Sequence, residues 1–376
     1  MIRHCHSVTA APRMPMSRTP LLFQPITFRS VTARNRIVVS PMCQYSAEGG
    51  LGDDWHVQHL GARAMGGAGI VFTEATHVSA VGRITPHCLG LYNDDHQAFL
   101  TRIAALISRG GAVPALQIAH AGRKASVEVP WRGSVPIQVS SGGWVPVGPS
   151  AIPFGETNTV PHMLSEAEIA GVAAEFAATA KRAREAGFKI IELHGAHGYL
   201  LHSFLSPIAN TRNDGYGGDL NGRSRLLFEL VDAIRSEWPD ELPLFVRLSS
   251  TDWMAGGLTI EDTVTLSRRL AATGKVDLID CSSGGIAATG PHIPSLHPGY
   301  QVPFAEVVRR DAKIATGAVG LIATAELAVE IVANERADLV FVARAMLADP
   351  GWPLRVAHEL GVELELLPQY ARARRG

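Results

Sequence analysis

Eight short runs rich in β-branched and aliphatic residues, separated for the most part by amphipathic segments, predict a single (β/α)8 TIM barrel. Each run is apolar throughout, as expected of strands covered on both faces in a parallel sheet. No GxGxxG follows the first run, which argues against an open dinucleotide-binding sheet. No linker divides the chain, so one α/β domain is expected over residues 21–370.

The runs are, in order, NRIVVSP (35–41), AGIVFTEA (68–75), VPALQIA (113–119), FKIIELH (188–194), PLFVRLS (243–249), VDLIDCS (276–282), DAKIATG (311–317) and ADLVFVA (337–343). Residues 165–186 read as a helix opened by a Ser-x-x-Glu capping box, and 260–273 as another amphipathic helix. Between the third and fourth strands lies a long segment, 120–163, rich in Gly, Pro, Ser and Trp. A connection of that length is expected to act as a flap, with a tolerated surface insertion as the alternative. Residues 1–20 carry arginines and prolines, no acidic residue appears before Glu48, and the apolar core of a secretory signal is missing. They read as a disordered extension, with a transit peptide as the alternative. Residues 371–376 form a basic tail.

Composition narrows the function. With 46% hydrophobic residues among 376 the chain can bury a large core. A net charge of −1 gives no basic surface for nucleic acid or an anionic membrane, so a small-molecule partner is expected. The four cysteines (Cys5, Cys43, Cys88, Cys281) contain no CxxC pair, which suits a reduced cytoplasmic setting. No apolar run approaches the ~20 residues of a membrane span.

Chemistry in such barrels sits at the C-terminal strand ends, and the unusual polar residues fall there: Cys43, Gln117, His194, His197, Arg247, Ser282 and Arg344. Arg247 interrupts a strand that should be covered on both sides. It requires either an ion pair, with Glu192 as the candidate, or a cofactor that acquires negative charge. Arg344, with the glycines of GAVG (317–320), suits a phosphate. Glu192 and His194 share a strand face and His197 lies in the loop beyond. A metal set of two histidines and one carboxylate is disfavoured, because Glu192 is deep in the strand and HxxH in a loop has no fixed geometry, so no metal is expected. Core histidines, or two imidazoles converging on one oxygen, remain open. Donors placed where charge develops lower a barrier by ~3–4 kcal/mol each. Gln117 can offer its amide to a heterocycle edge, and Cys43 is either an inert buried thiol or part of the site.

Ten segments carry a resemblance: NRIVVSPMCQYS (35–46), VFTEAT (71–76), LQIAHAGRKAS (116–126), IELHGAHGYLLHSFLSP (191–207), TRNDGYGGDLNGRSR (211–225), LFVRLS (244–249), LIDCSSGG (278–285), HPGYQVPFAE (297–306), ATGAVG (315–320) and DLVFVAR (338–344). Together the chain resembles the Old Yellow Enzyme family of FMN-dependent ene-reductases, in the thermophilic-like branch that includes the NADPH dehydrogenases. The resemblance implies that Ser40, Pro41, Met42 and Cys43 line the flavin, that Ala75 and Gln117 contact its ring, and that Arg247 lies near N1 and the C2 carbonyl. Ser282, Gly320, Ala343 and Arg344 would serve the phosphate. His194 and His197 would bind the acceptor oxygen with Tyr45, Tyr199 would be the proton donor, and Cys43 would tune the flavin.

The implied reaction is ping-pong reduction of the C=C bond of α,β-unsaturated aldehydes, ketones, imides or nitro compounds, with NADPH, or NADH, as reductant. A homodimer or homotetramer is implied, with a C-terminal arginine reaching the neighbouring subunit's site. Arg372 is the best positional match, in competition with Arg374 and Arg375. The 120–163 flap is longer than in compact relatives, which leaves substrate scope open. A non-catalytic flavin- or phenol-binding barrel and a metal-dependent aldolase or hydrolase are the rival readings.

Overall fold

A computed structural model describes residues 19–288 and 295–373. Its strands are β1 (Ile37–Val39), β2 (Ile70–Phe72), β3 (Val113–Ala119), β4 (Ile190–Gly195), β5 (Leu244–Ser249), β6 (Leu278–Ser282), β7 (Ala315–Ala318) and β8 (Leu339–Val342). All pair in parallel with their neighbours, and β8 returns to β1, closing the expected eight-stranded barrel. Each strand lies within one residue of a run read from sequence.

One principal helix follows each strand: α1 (Asp54–Met65), α2 (Asp94–Arg109), α3 (Glu166–Glu185), α4 (Leu220–Glu237), α5 (Ile260–Ala272), α6 (Val302–Ala312), α7 (Ala325–Ala333) and α8 (Trp352–Glu359). The capping box opening α3 is formed: Ser165 Oγ accepts from Glu168 N at 3.3 Å, and Glu168 Oε2 accepts from Ser165 N at 2.7 Å. Thr259 and Asp262 repeat the device at α5.

Alternation along the strands sorts the side chains into two cores. Ile37, Val39, Leu116, Ile118, Ile191, Leu193, Val246 and Leu248 face the helices. Val38, Phe72, Ala115, Ile190, Phe245, Leu278 and Phe341 fill the lower barrel, where the hairpin of Ile26–Phe28 and Val31–Ala33 plugs the end. Phe28 meets Phe245 edge-on at 5.1 Å between ring centroids. The inward series then turns polar toward the C-terminal strand ends: Ala115 is followed by Gln117, Ile190 by Glu192 and His194, Phe245 by Arg247 and Ser249, and Leu278 by Asp280 and Ser282.

The 120–163 connection contains 3-10 turns at Gly122–Lys124, Pro130–Arg132 and Val139–Ser141, and a short pairing of Val147–Gly148 with His162–Met163. Of the expected N-terminal extension only Thr19 and Pro20 are among the described residues, and Arg374 and Arg375 of the tail also lie outside them. No helix among the described residues is long and apolar enough to cross a membrane.

Candidate active site

At the end of β4 the chain turns sharply through Ala196–Tyr199, with His197 at φ +60° and Gly198 at φ +76°. Ser249 Oγ, on the neighbouring β5, accepts from His197 N at 3.0 Å. The turn presses against the loop after β6, and a Cβ on Gly285 would lie 2.7 Å from His197 Cα, so that position needs glycine. Three rings result in one cluster. The His194 and His197 centroids are 5.1 Å apart, those of His194 and Tyr199 4.9 Å, and those of His197 and Tyr199 6.4 Å, all edge-on.

Their protonation follows from surroundings. Ala196 N donates to His194 Nδ1 at 3.2 Å, which places the His194 proton on Nε2 and makes that nitrogen a donor. His197 Nε2 lies 2.6 Å from Ser282 Oγ, so Nδ1 carries the proton when the serine donates. Burial, and then the Arg247 charge, push both imidazoles well below the ordinary histidine value, so they are neutral. Burial, then Cys43, pushes the Tyr199 phenol well above its ordinary value, which keeps its proton in place.

Cys43 and Tyr45 follow β1, and both pack with Tyr199 and Trp144 against Ile84, Cys88 and Ala121. Burial, then Glu74, raises the Cys43 thiol, so the residue is a neutral S–H rather than a thiolate. Tyr45, at φ +52°, meets the flap residue Trp131 edge-on at 5.8 Å.

Beneath this cluster lies the polar layer. Gln117 Nε2 donates to Glu192 Oε1 at 2.7 Å. Arg247 Nε lies 3.0 Å from Asp280 Oδ2, as an ion pair whose N–H does not point squarely at the oxygen. The expected partner Glu192 is therefore replaced by Asp280. The register explains it: Arg247 stands opposite Asp280, whereas Glu192 stands opposite Phe245. Burial raises both carboxyls, and Arg247 draws them back down.

Ser40 is buried, and Pro41 and Met42 are half-buried beside Cys43 at the end of β1, while Ala75 is buried just beyond β2. Ser282 is buried and bonded to His197, within 3.5 Å of Gln301 Oε1. Gly320, at φ +131°, follows β7, and its carbonyl accepts from Gly299 N at 2.8 Å. Ala343 precedes the short helix Arg344–Ala348. Arg344 is exposed, pairs with no carboxylate among the described residues, and its charge lowers the proton affinity of Tyr300. These residues suit an FMN: Gln117 keeps an uncommitted amide oxygen among the described residues, Arg247 is a buried cation with an unbonded Nε, and Arg344 is a cation without a carboxylate partner among the described residues whose charge reaches Tyr300, the residue packed against Gly320. Arg372 is exposed in the turn Pro368–Ala373 and makes no ion pair among the described residues. Among the described residues no group of three His, Cys, Asp or Glu side chains is placed to hold a metal.

Sequence reasoning missed Lys124 and Asp280. Lys124 Nζ donates to His197 O at 2.9 Å and lies over the rings of Phe154 (4.3 Å) and Tyr199 (5.2 Å), joining the flap to the turn. Burial, then Arg123, pushes its ammonium down to about 8. Asp280 carried the same signal as Arg247, a charge inside an apolar strand.

The family described as NADH:flavin oxidoreductase / NADH oxidase matches residues 21–363. The chain is 47% identical to the NADPH dehydrogenase of Geobacillus sp. (strain WCH70), over 94% of this chain and 98% of that protein. Among solved structures it resembles a 2-naphthoyl-CoA reductase in complex with 2-naphthoyl-CoA (TM-score 0.81, 26% identity), over 90% of this chain but only 52% of that one. It also resembles morphinone reductase in complex with tetrahydroNAD (TM-score 0.73, 25% identity), over 93% and 94% of the two chains.

Proposed function

This chain belongs to the NADH:flavin oxidoreductase / NADH oxidase family, the Old Yellow Enzyme family its motifs resemble, and on that premise we propose that it reduces the C=C bond of α,β-unsaturated carbonyl, imide or nitro compounds. It is an FMN-dependent NAD(P)H oxidoreductase. The observation that carries the finer reading is the cluster of two neutral imidazoles and one protonated phenol at the barrel mouth.

When bound, FMN supplies the hydride chemistry, taken from NADPH or NADH and given to the acceptor in a ping-pong sequence. Ser40, Pro41, Met42, Cys43, Ala75 and Gln117 would hold its ring, and Gly320, Ala343 and Arg344 its phosphate end, the Ser282 hydroxyl being engaged as donor to His197 Nε2. Arg247 keeps a permanent positive charge in the barrel mouth. His194 Nε2–H and His197 Nδ1–H donate to the acceptor's oxygen, where negative charge develops, with Tyr45 contributing from the flap side. A neutral donor loses no strength by titration at neutral pH. Tyr199 holds the proton that goes to the α-carbon.

The same reading includes a homo-oligomer, dimer or tetramer, in which Arg372 crosses to the neighbouring site, and a cytoplasmic location. The test is anaerobic: NADPH should bleach the yellow protein, and cyclohexenone or maleimide should restore the colour. Bleaching without recovery would leave a flavin-binding protein that is no ene-reductase.

A further inference from the structure

The turn that carries His197 and Tyr199 is held in part by a relay of fully buried side chains. Gly198 lies between the two residues in the left-handed region, and its N–H donates to His202 Nδ1 at 2.8 Å. Because Nδ1 accepts, the His202 proton sits on Nε2. That nitrogen lies 2.9 Å from Asp252 Oδ1, within polar contact although the N–H does not point squarely at the oxygen. The other carboxylate oxygen accepts from Ser206 Oγ at 2.6 Å and from Leu258 N at 2.7 Å. Both side chains of the pair are fully buried. Burial alone would raise the Asp252 carboxyl, but the His202 imidazole and the Ser206 hydroxyl outweigh it and hold the group below its ordinary range.

We propose that His202 and Asp252 are positioning residues for the oxidative half-reaction: by anchoring the Gly198 amide to the loop after β5, they fix the aim of His197 and Tyr199 at the acceptor. This rests on the ene-reductase reading of those two residues. The turn has other anchors, which hold mainly its carbonyls and its exit: Ser203 Oγ donates to Gly198 O at 3.0 Å and to Tyr199 O at 2.9 Å, and Leu200 N donates to His120 O at 2.9 Å. Ser249 takes the His197 amide, and Lys124 takes the His197 carbonyl. Tyr199 N bonds only within the turn, to Ala196 O at 3.2 Å. The Gly198 amide is thus the one backbone donor between the two functional side chains with a partner outside the turn's own backbone. Without that acceptor the 197–198 peptide is held only at its carbonyl, by Lys124, and a shift of this peptide carries the rings on either side of the left-handed glycine with it.

Two substitutions divide the relay. In His202→Asn the amide oxygen stands near the place of Nδ1 and keeps an acceptor for Gly198. In His202→Gln the amide nitrogen stands near the place of Nε2, keeping a donor for Asp252 while leaving Gly198 unpaired. In the FMN-loaded protein, stopped-flow reoxidation by cyclohexenone should slow by about 10- to 100-fold in His202→Gln, the cost of misplacing reacting groups by about 1 Å. His202→Asn should recover most of that loss, and reduction by NADPH should stay near the wild-type rate in both. Titration with a phenol, read as the change in flavin absorbance, follows the aim of the imidazoles without turnover. It should weaken in the Gln variant and recover in the Asn variant. Equal losses in the two variants, parallel loss of both half-reactions, a Gln variant that matches wild type, or failure of both variants to fold with FMN would each overturn the proposal. If wild type itself is not reoxidised by the enone, the ene-reductase reading fails, and the phenol titration still decides the role of His202.

Discussion

Replacing His194 with alanine separates the electrostatic role of the histidine pair from a packing role. The ring is buried, accepts the Ala196 amide on Nδ1 and keeps its proton on Nε2, so the substitution removes one oriented N–H donor. Removing a single donor from a site of developing oxyanion charge costs about 3 kcal/mol, or roughly 100- to 1000-fold in rate. His194→Ala should therefore slow enone reduction by about that factor and leave NADPH-driven bleaching and FMN content nearly unchanged. The double replacement with His197→Ala should lose less than the product of the single losses, because both donors serve one oxygen. The pH profile is a second arm. Burial and Arg247 hold both imidazoles neutral, so the reoxidation rate should be flat across neutral pH. An imidazolium donor would instead give a rate that falls as pH rises through the ordinary histidine value. Anaerobic stopped-flow between about pH 5.5 and 7, within the stable range of most folded domains and below the Lys124 transition near 8, reads both arms. Loss of flavin in proportion to activity, or a fall with pH that disappears in the variants, refutes the reasoning.

Arg247→Met removes the cation facing Asp280, and breaking such a buried pair costs about 3–5 kcal/mol of stability. The folded-state carboxyls of Glu192 and Asp280 are already raised, so their contribution is present at low pH and lost as pH rises; melting temperature in the variant should fall more steeply with pH than in wild type. A parallel fall in the two proteins would show that the pair is insulated from Arg247. Lys124, pushed down to about 8, binds its proton less tightly folded than unfolded; its contribution to stability therefore rises with pH above about 8, while its charge in the site is lost. Wild type should show a kinetic inflection near pH 8 that Lys124→Met abolishes, and an unchanged profile would exclude Lys124 as its source.

The strands were legible because their signal is local: a run covered on both faces must be apolar along its whole length, and NRIVVSP or ADLVFVA is recognisable without its neighbours. The capping boxes at Ser165 and Thr259 are likewise written within four residues. Arg247 was conspicuous for breaking such a run, and the same logic applied to Asp280 in LIDCS would have named its partner. What misled was distance along one strand pair, since Glu192 is two residues from His194 yet stands opposite Phe245. Lys124 lay hidden in the long flap, where no periodicity ranks one polar residue above another.

The amino-acid order alone determined the barrel, its closure into eight repeats, the end of it that carries chemistry, and the residue types waiting there. Only the folded chain decided which of those residues meet. Parallel register put Asp280, not Glu192, against Arg247. The left-handed turn at His197 and Gly198 brought two imidazoles and a phenol into one cluster, and burial set all three in their proton-bearing neutral forms. The reason is physical. Apolar patterning is a property of neighbours in sequence, whereas register, ring orientation and desolvation depend on contacts between strands tens of residues apart.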